Sequence, residues 1–164
     1  MTVQDFDGVL ALIIGLPCWS VQRGHGNMLS FEFGKPSLMI REPYQSRSTS
    51  ERLQRSASHR VVKPIGEYTL WVHGGWQAKI GHGKFADSDA AIDEVVAAAR
   101  EIDGQRLLAV TVDAASNATS FVFDLGATLN VLSDGSDSAV WALSCPDGST
   151  HEFTGERVWR VREA

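Results

Sequence analysis

Cysteine is scarce in this chain of 164 residues: Cys18 and Cys145 are its only two, and they form no Cys-x-x-Cys element. A zinc site with the usual thiolate spacing is therefore excluded. We expect the two side chains to be reduced, buried thiols, and a disulfide or a redox pair is the alternative.

Long apolar runs are missing as well. The longest covers residues 9–17, is interrupted by Gly15 and ends at Pro17, far below the roughly 20 residues that a membrane-spanning helix needs. Asp5 and Asp7 precede it, where a signal peptide would carry basic residues. We therefore expect a cytoplasmic protein without a membrane partner.

Basic charge is in deficit, with 15 Lys and Arg against 20 Asp and Glu and a net charge of −5. This balance argues against nucleic acid as a partner. The charge is also uneven, because residues 1–85 carry ten basic and six acidic side chains whereas residues 86–164 carry five and fourteen. The net charges of the two halves are therefore +4 and −9, and such an asymmetry is typical of oppositely charged surfaces.

Motifs of catalysis and cofactor binding are absent too. The chain has no Gly-x-Ser-x-Gly elbow for a serine nucleophile. Gly81-His82-Gly83-Lys84 lacks the glycine spacing of a phosphate-binding loop and the Ser or Thr that follows its lysine. We expect no cofactor and assign no catalytic residue.

A short pattern, in contrast, is present twice. Ser30-Phe31-Glu32-Phe33 is followed later by Leu70-Trp71-Val72, and Ser120-Phe121-Val122-Phe123 is followed by Val140-Trp141-Ala142. Both copies predict strands and tight turns. The sequence therefore predicts one α+β domain over residues 1–164, with a mostly antiparallel sheet in two related halves. Trp71 and Trp141, as equivalent positions, are both expected in the core.

Glycine-containing turns predict how these strands connect. Two hairpins are expected, which join residues 28–33 to 37–41 and residues 68–72 to 76–80. Asp147-Gly148 predicts a further turn, because both residue types tolerate positive φ. Residues 9–16 are apolar on every side, so helix and strand both remain open there.

One amphipathic helix is predicted over about residues 89–102. Ser88 is placed to cap its first amide groups, and acidic residues near its start favour the positive end of the helix dipole. Its apolar residues recur at 3.6-residue spacing, so this face is expected to pack on the sheet. They are Ile92, Val95, Val96, Ala99 and Ile102.

Residues 45–60 form a long polar insertion rich in Ser and Arg. Connections of this length are uncommon in compact domains unless they are functional or disordered. We predict a surface insertion, and three alternatives stay open: a loop without a specific role, a partner-binding segment, or a helix over residues 49–57 packed on the body.

Three histidines with glycine neighbours, His25, His73 and His82, define the alternative of a metal site. Three imidazoles can hold zinc and leave a position open for water, as a metal-dependent hydrolase requires. Metal ligands usually lie on stiff elements with supporting partners, whereas these histidines lie in predicted turns. We therefore keep this site as the alternative and not as the main prediction.

Partner contacts are predicted at exposed charges and at aromatic residues beside glycine-rich turns, since exposed Trp and Arg are typical of protein–protein hot spots. The acidic positions at the start of the helix are expected to face a basic partner. The predicted contact residues are Arg47, Arg52, Arg55, Trp19, Trp76, Asp89, Asp93 and Glu94.

A resemblance to a group of known proteins rests on three short segments. The segments are Leu16-Pro17-Cys18-Trp19-Ser20, Gly24-His25-Gly26 and Leu29-Ser30-Phe31-Glu32-Phe33-Gly34. With the later Trp-centred strands, these segments are similar to small bacterial proteins of the toxin-immunity type. The resemblance implies a cytoplasmic protein that acts by binding, and it assigns no functional residue.

Non-enzymatic binding of another protein is thus the leading hypothesis, and a homodimer is considered. A metal-dependent hydrolase and a small-molecule sensor with a cleft between the two halves are the alternatives.

Overall fold

The computed structural model describes residues 8–81, 83–156 and 158–163, without the side chain of Lys84. None of the helices in this part of the chain has the length and apolar character needed to cross a bilayer. The strands of the described residues are β1 (Cys18–Arg23), β2 (Leu29–Phe33), β3 (Ser37–Arg41), β4 (Val61–Ile65), β5 (Tyr68–Val72), β6 (Trp76–Ile80), β7 (Lys84–Asp87), β8 (Leu107–Val112), β9 (Thr119–Phe123), β10 (Thr128–Val131), β11 (Ala139–Ser144), β12 (Thr150–Thr154) and β13 (Trp159–Arg162). The helices described from end to end are α1 (Glu51–Ala57), α2 (Ile92–Ile102) and a 3-10 turn, His25–Asn27, and residues 8–10 are helical as well.

The strands form two large antiparallel sheets and one small one. The first sheet has the order β1-β2-β5-β11-β12-β13, and the second has the order β7-β6-β10-β9-β8. Strands β3 and β4 pair only with each other among the described strands. The prediction of an α+β fold dominated by antiparallel sheet is confirmed.

The two large sheets share one apolar core. Side chains alternate along a strand, so Phe31 on β2 and Phe121 and Phe123 on β9 are completely or almost completely buried. The rings of Phe31 and Phe123 are stacked with their centroids 6.3 Å apart. Phe121 meets Trp141 of the other sheet edge-on at 5.8 Å. Aromatic contacts thus join the sheets across the core.

Helix α2 packs on this core next to β1, β6 and β7. Its buried residues are Val95, Ala98, Ala99 and Ile102. The helix begins at Ile92, three residues after the predicted start, because the carboxylate of Asp87 accepts a hydrogen bond from the backbone amide of Asp89 at 2.9 Å and forms a turn. Ile92 is exposed, so its assignment to the packed face was wrong.

Both predicted glycine-turn hairpins are wrong. Strand β2 pairs with β1 and β5, which leaves no free edge for β3. Strands β5 and β6 lie in different sheets, and the chain crosses between the sheets at residues 73–75. A Cβ atom at Gly74 would lie 3.2 Å from Cβ of Val140, so the backbones approach closely at this crossing. The Asp147-Gly148 turn between β11 and β12 is confirmed.

The two Trp-centred strands are direct neighbours, but their tryptophans differ in environment. In the β5–β11 ladder Trp71 lies opposite Ala142, and Trp141 lies opposite Val72. A register offset of one residue places two side chains on opposite faces of a sheet. Trp141 is completely buried, whereas Trp71 is half-buried on the outer face, so Trp71 is not the core residue that we predicted.

Residues 9–16 form consecutive helical turns and not a strand. The amide of Ile13 donates to the carbonyl of Leu10 at 3.1 Å, and the amide of Leu16 donates to the carbonyl of Ile13 at 3.2 Å. Leu10 and Ile13 are buried in the common core. Residues 9–16 are apolar on every side because the segment also carries exposed apolar side chains, those of Leu12 and Ile14.

Candidate functional site

Residues 35–66, which we call the arm, leave the body between two strands that are neighbours in the first sheet. Strand β2 ends at Phe33, which lies opposite Tyr68 of β5. The arm is therefore an enlarged connection of an antiparallel pair, and it contains β3, α1 and β4. The predicted insertion of residues 45–60 lies within it.

Polar contacts hold the base of the arm. The carboxylate of Glu32, almost completely buried, accepts hydrogen bonds from the amide of Gly66 at 2.9 Å and from the hydroxyl of Thr69 at 2.8 Å. The indole of Trp19 donates to the carbonyl of Gly34 at 3.1 Å. A Cβ atom at Gly66 would lie 2.4 Å from the carbonyl oxygen of Phe33, so this close approach requires glycine.

Helix α1 folds back toward the end of β3. The amide of Tyr44 donates to the carbonyl of Ala57 at 2.9 Å, and the guanidinium of Arg41 donates to the carbonyl of Ser56 at 3.0 Å. Arg41 also lies over the ring of Tyr44, 5.2 Å from its centroid. Ala57 is buried by this arrangement. Part of the polar insertion is therefore helical, at Glu51–Ala57.

One face of the β3–β4 pair carries an exposed apolar stripe. Leu38 pairs with Pro64, and Ile40 pairs with Val62, so these four side chains share one face. Leu38 is 69% exposed, Ile40 57% and Val62 53%. We call these three residues with Pro64 the arm stripe. Sequence reasoning missed it, because alternating apolar residues in a strand usually face a core.

The arm is also strongly basic. It carries seven Lys and Arg against two Glu, a net charge of +5, while the rest of the chain carries eight against eighteen, a net charge of −10. Three of the predicted contact residues, Arg47, Arg52 and Arg55, are exposed on the arm. A surface depression on α1 is lined by two of them and by Glu51, Ser56 and His59.

The other predicted contact residues lie in three different environments. Asp89, Asp93 and Glu94 are exposed around the start of α2. Trp19 is half-buried at the base of the arm. Trp76 is completely buried, and its indole donates to the carbonyl of Asn27 at 2.9 Å, so the expectation of an exposed Trp76 was wrong.

The histidines of the alternative metal site are only partly described. His25 is exposed on its 3-10 turn, and Nδ1 of His73 lies 3.3 Å from the sulfur of Met28. Burial lowers the pKa of His73 from its ordinary value, against an opposing effect of Glu152. His82 lies outside the described residues. Among those that are described, no three His, Cys, Asp or Glu side chains are grouped to hold a metal ion.

The β11–β12 hairpin brings together four side chains that could take part in catalysis, those of Cys145, Asp147, Ser149 and His151. Sequence reasoning missed this group, although its members occupy alternate positions in the sequence. The hydroxyl of Ser149 donates to the carboxylate of Asp147 at 2.7 Å and lies 3.2 Å from Nε2 of His151. Nδ1 of His151 is buried with no hydrogen-bond partner among the described residues. No carboxylate of the described residues orients the imidazole as in a catalytic triad.

Both cysteines are free thiols of low reactivity. Cys18 is completely buried, its thiol donates to the carbonyl of Ile102 at 3.3 Å, and burial raises its pKa to about 12. Burial also raises the pKa of the half-buried Cys145 thiol. Because the thiolate is the nucleophilic form, neither environment favours thiol catalysis.

A scan against protein-family models and searches of curated proteins and of solved structures returned no match to the chain. The candidate site therefore rests on its own geometry.

Proposed function

We propose that this chain is a non-enzymatic protein-binding protein and that its arm forms the binding surface. The observation that carries this proposal is the exposed arm stripe on a basic two-stranded ribbon. An isolated two-stranded ribbon is marginally stable in water. An apolar face that a folded protein leaves open is typical of an interaction site.

Charge and aliphatic side chains have separate roles on such a surface. Burial of the arm stripe removes apolar area from water and supplies favourable free energy. The exposed Arg52 and Arg55 raise the association rate with a partner of opposite charge and select against basic proteins. The proposal therefore specifies a partner with an acidic surface that also exposes apolar side chains.

The proposed site of action is the cytoplasm. The expected resemblance to toxin-immunity proteins implies a partner that is itself a protein, and a toxin would be such a partner. Under this proposal the exposed acidic residues Asp89, Asp93 and Glu94 form a second charged surface, separate from the arm in the sequence.

A photo-crosslinking amino acid placed at position 38 in the native cell tests this proposal. We expect a discrete protein adduct from Leu38, whose yield falls several-fold when Ile40→Asp is added, because that substitution introduces a charge into the arm stripe. The same crosslinker at Leu125, which is 72% exposed on a turn of the body, is the matched control and should give no such adduct.

Three results would contradict the proposal. The first is the absence of an adduct at position 38, and the second is an equal yield at position 125. The third is an adduct with nucleic acid in place of protein, because a basic arm would also attract polyanions.

A further inference from the structure

We propose that the occupant of the arm is a second copy of this chain. This inference rests on the proposed function and names the partner. The arm of one molecule would contact residues 85–94 of the other, a stretch that we call the acidic segment. It covers the last part of β7 and the start of α2.

The acidic segment has the two properties that the arm requires of a partner. It carries Asp87, Asp89, Asp93 and Glu94 and no basic residue, a net charge of −4. It also exposes two large apolar side chains, Phe85 at 60% and Ile92 at 56%. Acidic residues at a helix start are explained by the helix dipole, but the exposure of Phe85 and Ile92 is not.

The arm does not cover the acidic segment of its own chain. The large exposed fractions of Leu38 and Ile40 on the arm, and of Phe85 and Ile92 on the acidic segment, hold within a single molecule. Both surfaces are therefore open at the same time. A contact between them has to be made by two molecules.

A two-fold dimer is the smallest closed arrangement that uses both surfaces of each molecule. In such a dimer the arm of each protomer contacts the acidic segment of its partner, so one type of contact is made twice. Two arms placed against each other would instead bring two basic surfaces of +5 together, and like charges at an interface oppose association. Charge complementarity thus favours arm against acidic segment over arm against arm.

A charge-swap experiment tests the dimer. One variant, Arg52→Glu with Arg55→Glu, reverses charge on the arm, and the other, Asp89→Lys with Glu94→Lys, reverses charge on the acidic segment. All four side chains are exposed, and circular dichroism with thermal melting checks that each variant folds. Sedimentation velocity at low and moderate ionic strength then measures association of each protein alone and of the two variants mixed.

We expect a wild-type dimer that weakens as salt is added, because screening shortens the range of charge interactions. For each variant alone, the dissociation constant of the dimer should rise about a hundredfold, since repulsion replaces attraction. The mixture of the two variants should recover the dimer. If one double variant melts at a lower temperature than the wild type, two single variants replace the pair. Arg55→Glu then reverses one charge on the arm, and Asp89→Lys reverses one charge on the acidic segment.

A wild-type protein that stays monomeric at all concentrations, or a variant mixture that does not associate, would overturn the inference. The crosslink at position 38 distinguishes its failure from that of the proposed function. An adduct with a different protein, together with a monomeric chain, refutes the dimer and leaves the binding function standing. No adduct of either kind refutes both.

Discussion

Replacement of Trp141 by alanine is expected to lower the free energy of unfolding by about 3–5 kcal/mol, the usual range for deletion of a buried aromatic side chain. Trp141 is completely buried and meets Phe121 edge-on and Phe153 in a stack at 5.6 Å. Its indole donates to the hydroxyl of Thr119 in the other sheet at 3.0 Å. A natural domain is stable by only about 5–15 kcal/mol, so this single change removes a large share.

Two further variants separate the causes of this loss in urea unfolding curves. Trp141→Phe keeps an aromatic ring but leaves the buried hydroxyl of Thr119 without its donor, at an expected cost of about 1–3 kcal/mol. Trp71→Ala is the matched control, since Trp71 lies on the outer face of the adjacent strand, and about 1 kcal/mol is expected. Equal losses for Trp71→Ala and Trp141→Ala would contradict the one-residue offset between the two strands.

Replacement of Trp76 by alanine is the second large effect, again about 3–5 kcal/mol for a completely buried indole. Trp76 also fixes the neighbouring turn, because its indole donates to the carbonyl of Asn27, and the side chain of Asn27 donates to the carbonyl of Ser88 at 2.8 Å. Loss of Trp76 should therefore loosen both the 3-10 turn and the start of α2. Urea unfolding and amide exchange of residues 25–27 and 88–90 measure the two effects.

Trp19→Ala is the control for this substitution. Trp19 is half-buried and contacts the base of the arm through the carbonyl of Gly34, so a loss of about 1 kcal/mol is expected, with faster amide exchange at the base of the arm. The contradicting result would be a Trp76→Ala variant that unfolds like the wild type and loses the adduct at position 38. That result would assign Trp76 to the binding surface after all.

Local patterns were sufficient to predict most of the elements, although no strand was predicted at β1, β4 or β7. The alternation in Ser30-Phe31-Glu32-Phe33 and in Ser120-Phe121-Val122-Phe123 identified two strands, because side chains of a strand point alternately to opposite faces. The 3.6-residue spacing of Val95, Ala99 and Ile102 identified α2. The Asp147-Gly148 turn was predictable because it joins strands that are adjacent both in sequence and in space.

Strand pairing was not predictable from the same patterns. Whether β2 pairs with β3 or with β5 depends on contacts distant in sequence, and a Gly-Lys-Pro segment permits a hairpin without requiring one. The environments of Trp71 and Trp141 depend on a register offset of one residue. A pattern within one strand contains no information about that offset.

The exposed arginines of the arm were predicted from the sequence, whereas the exposed apolar residues of the arm were missed. Arg47, Arg52 and Arg55 stand in a polar stretch, and such stretches are exposed in most folded proteins. Leu38 and Ile40 alternate with polar residues as core residues do. Only the folded chain, in which β3 pairs with β4 away from both large sheets, identifies them as exposed.

Hydrogen exchange on dilute protein is the most direct test of whether the two large sheets stabilise the fold while the arm remains available for binding. We expect amides of β5 and β11 to exchange only through global unfolding, and amides of β3 and β4 to exchange through a local opening of much lower free energy. Trp141→Ala should accelerate exchange in the first pair of strands and leave the second unchanged. Identical exchange free energies in both pairs, falling together in the variant, would make the arm part of the core and contradict the account.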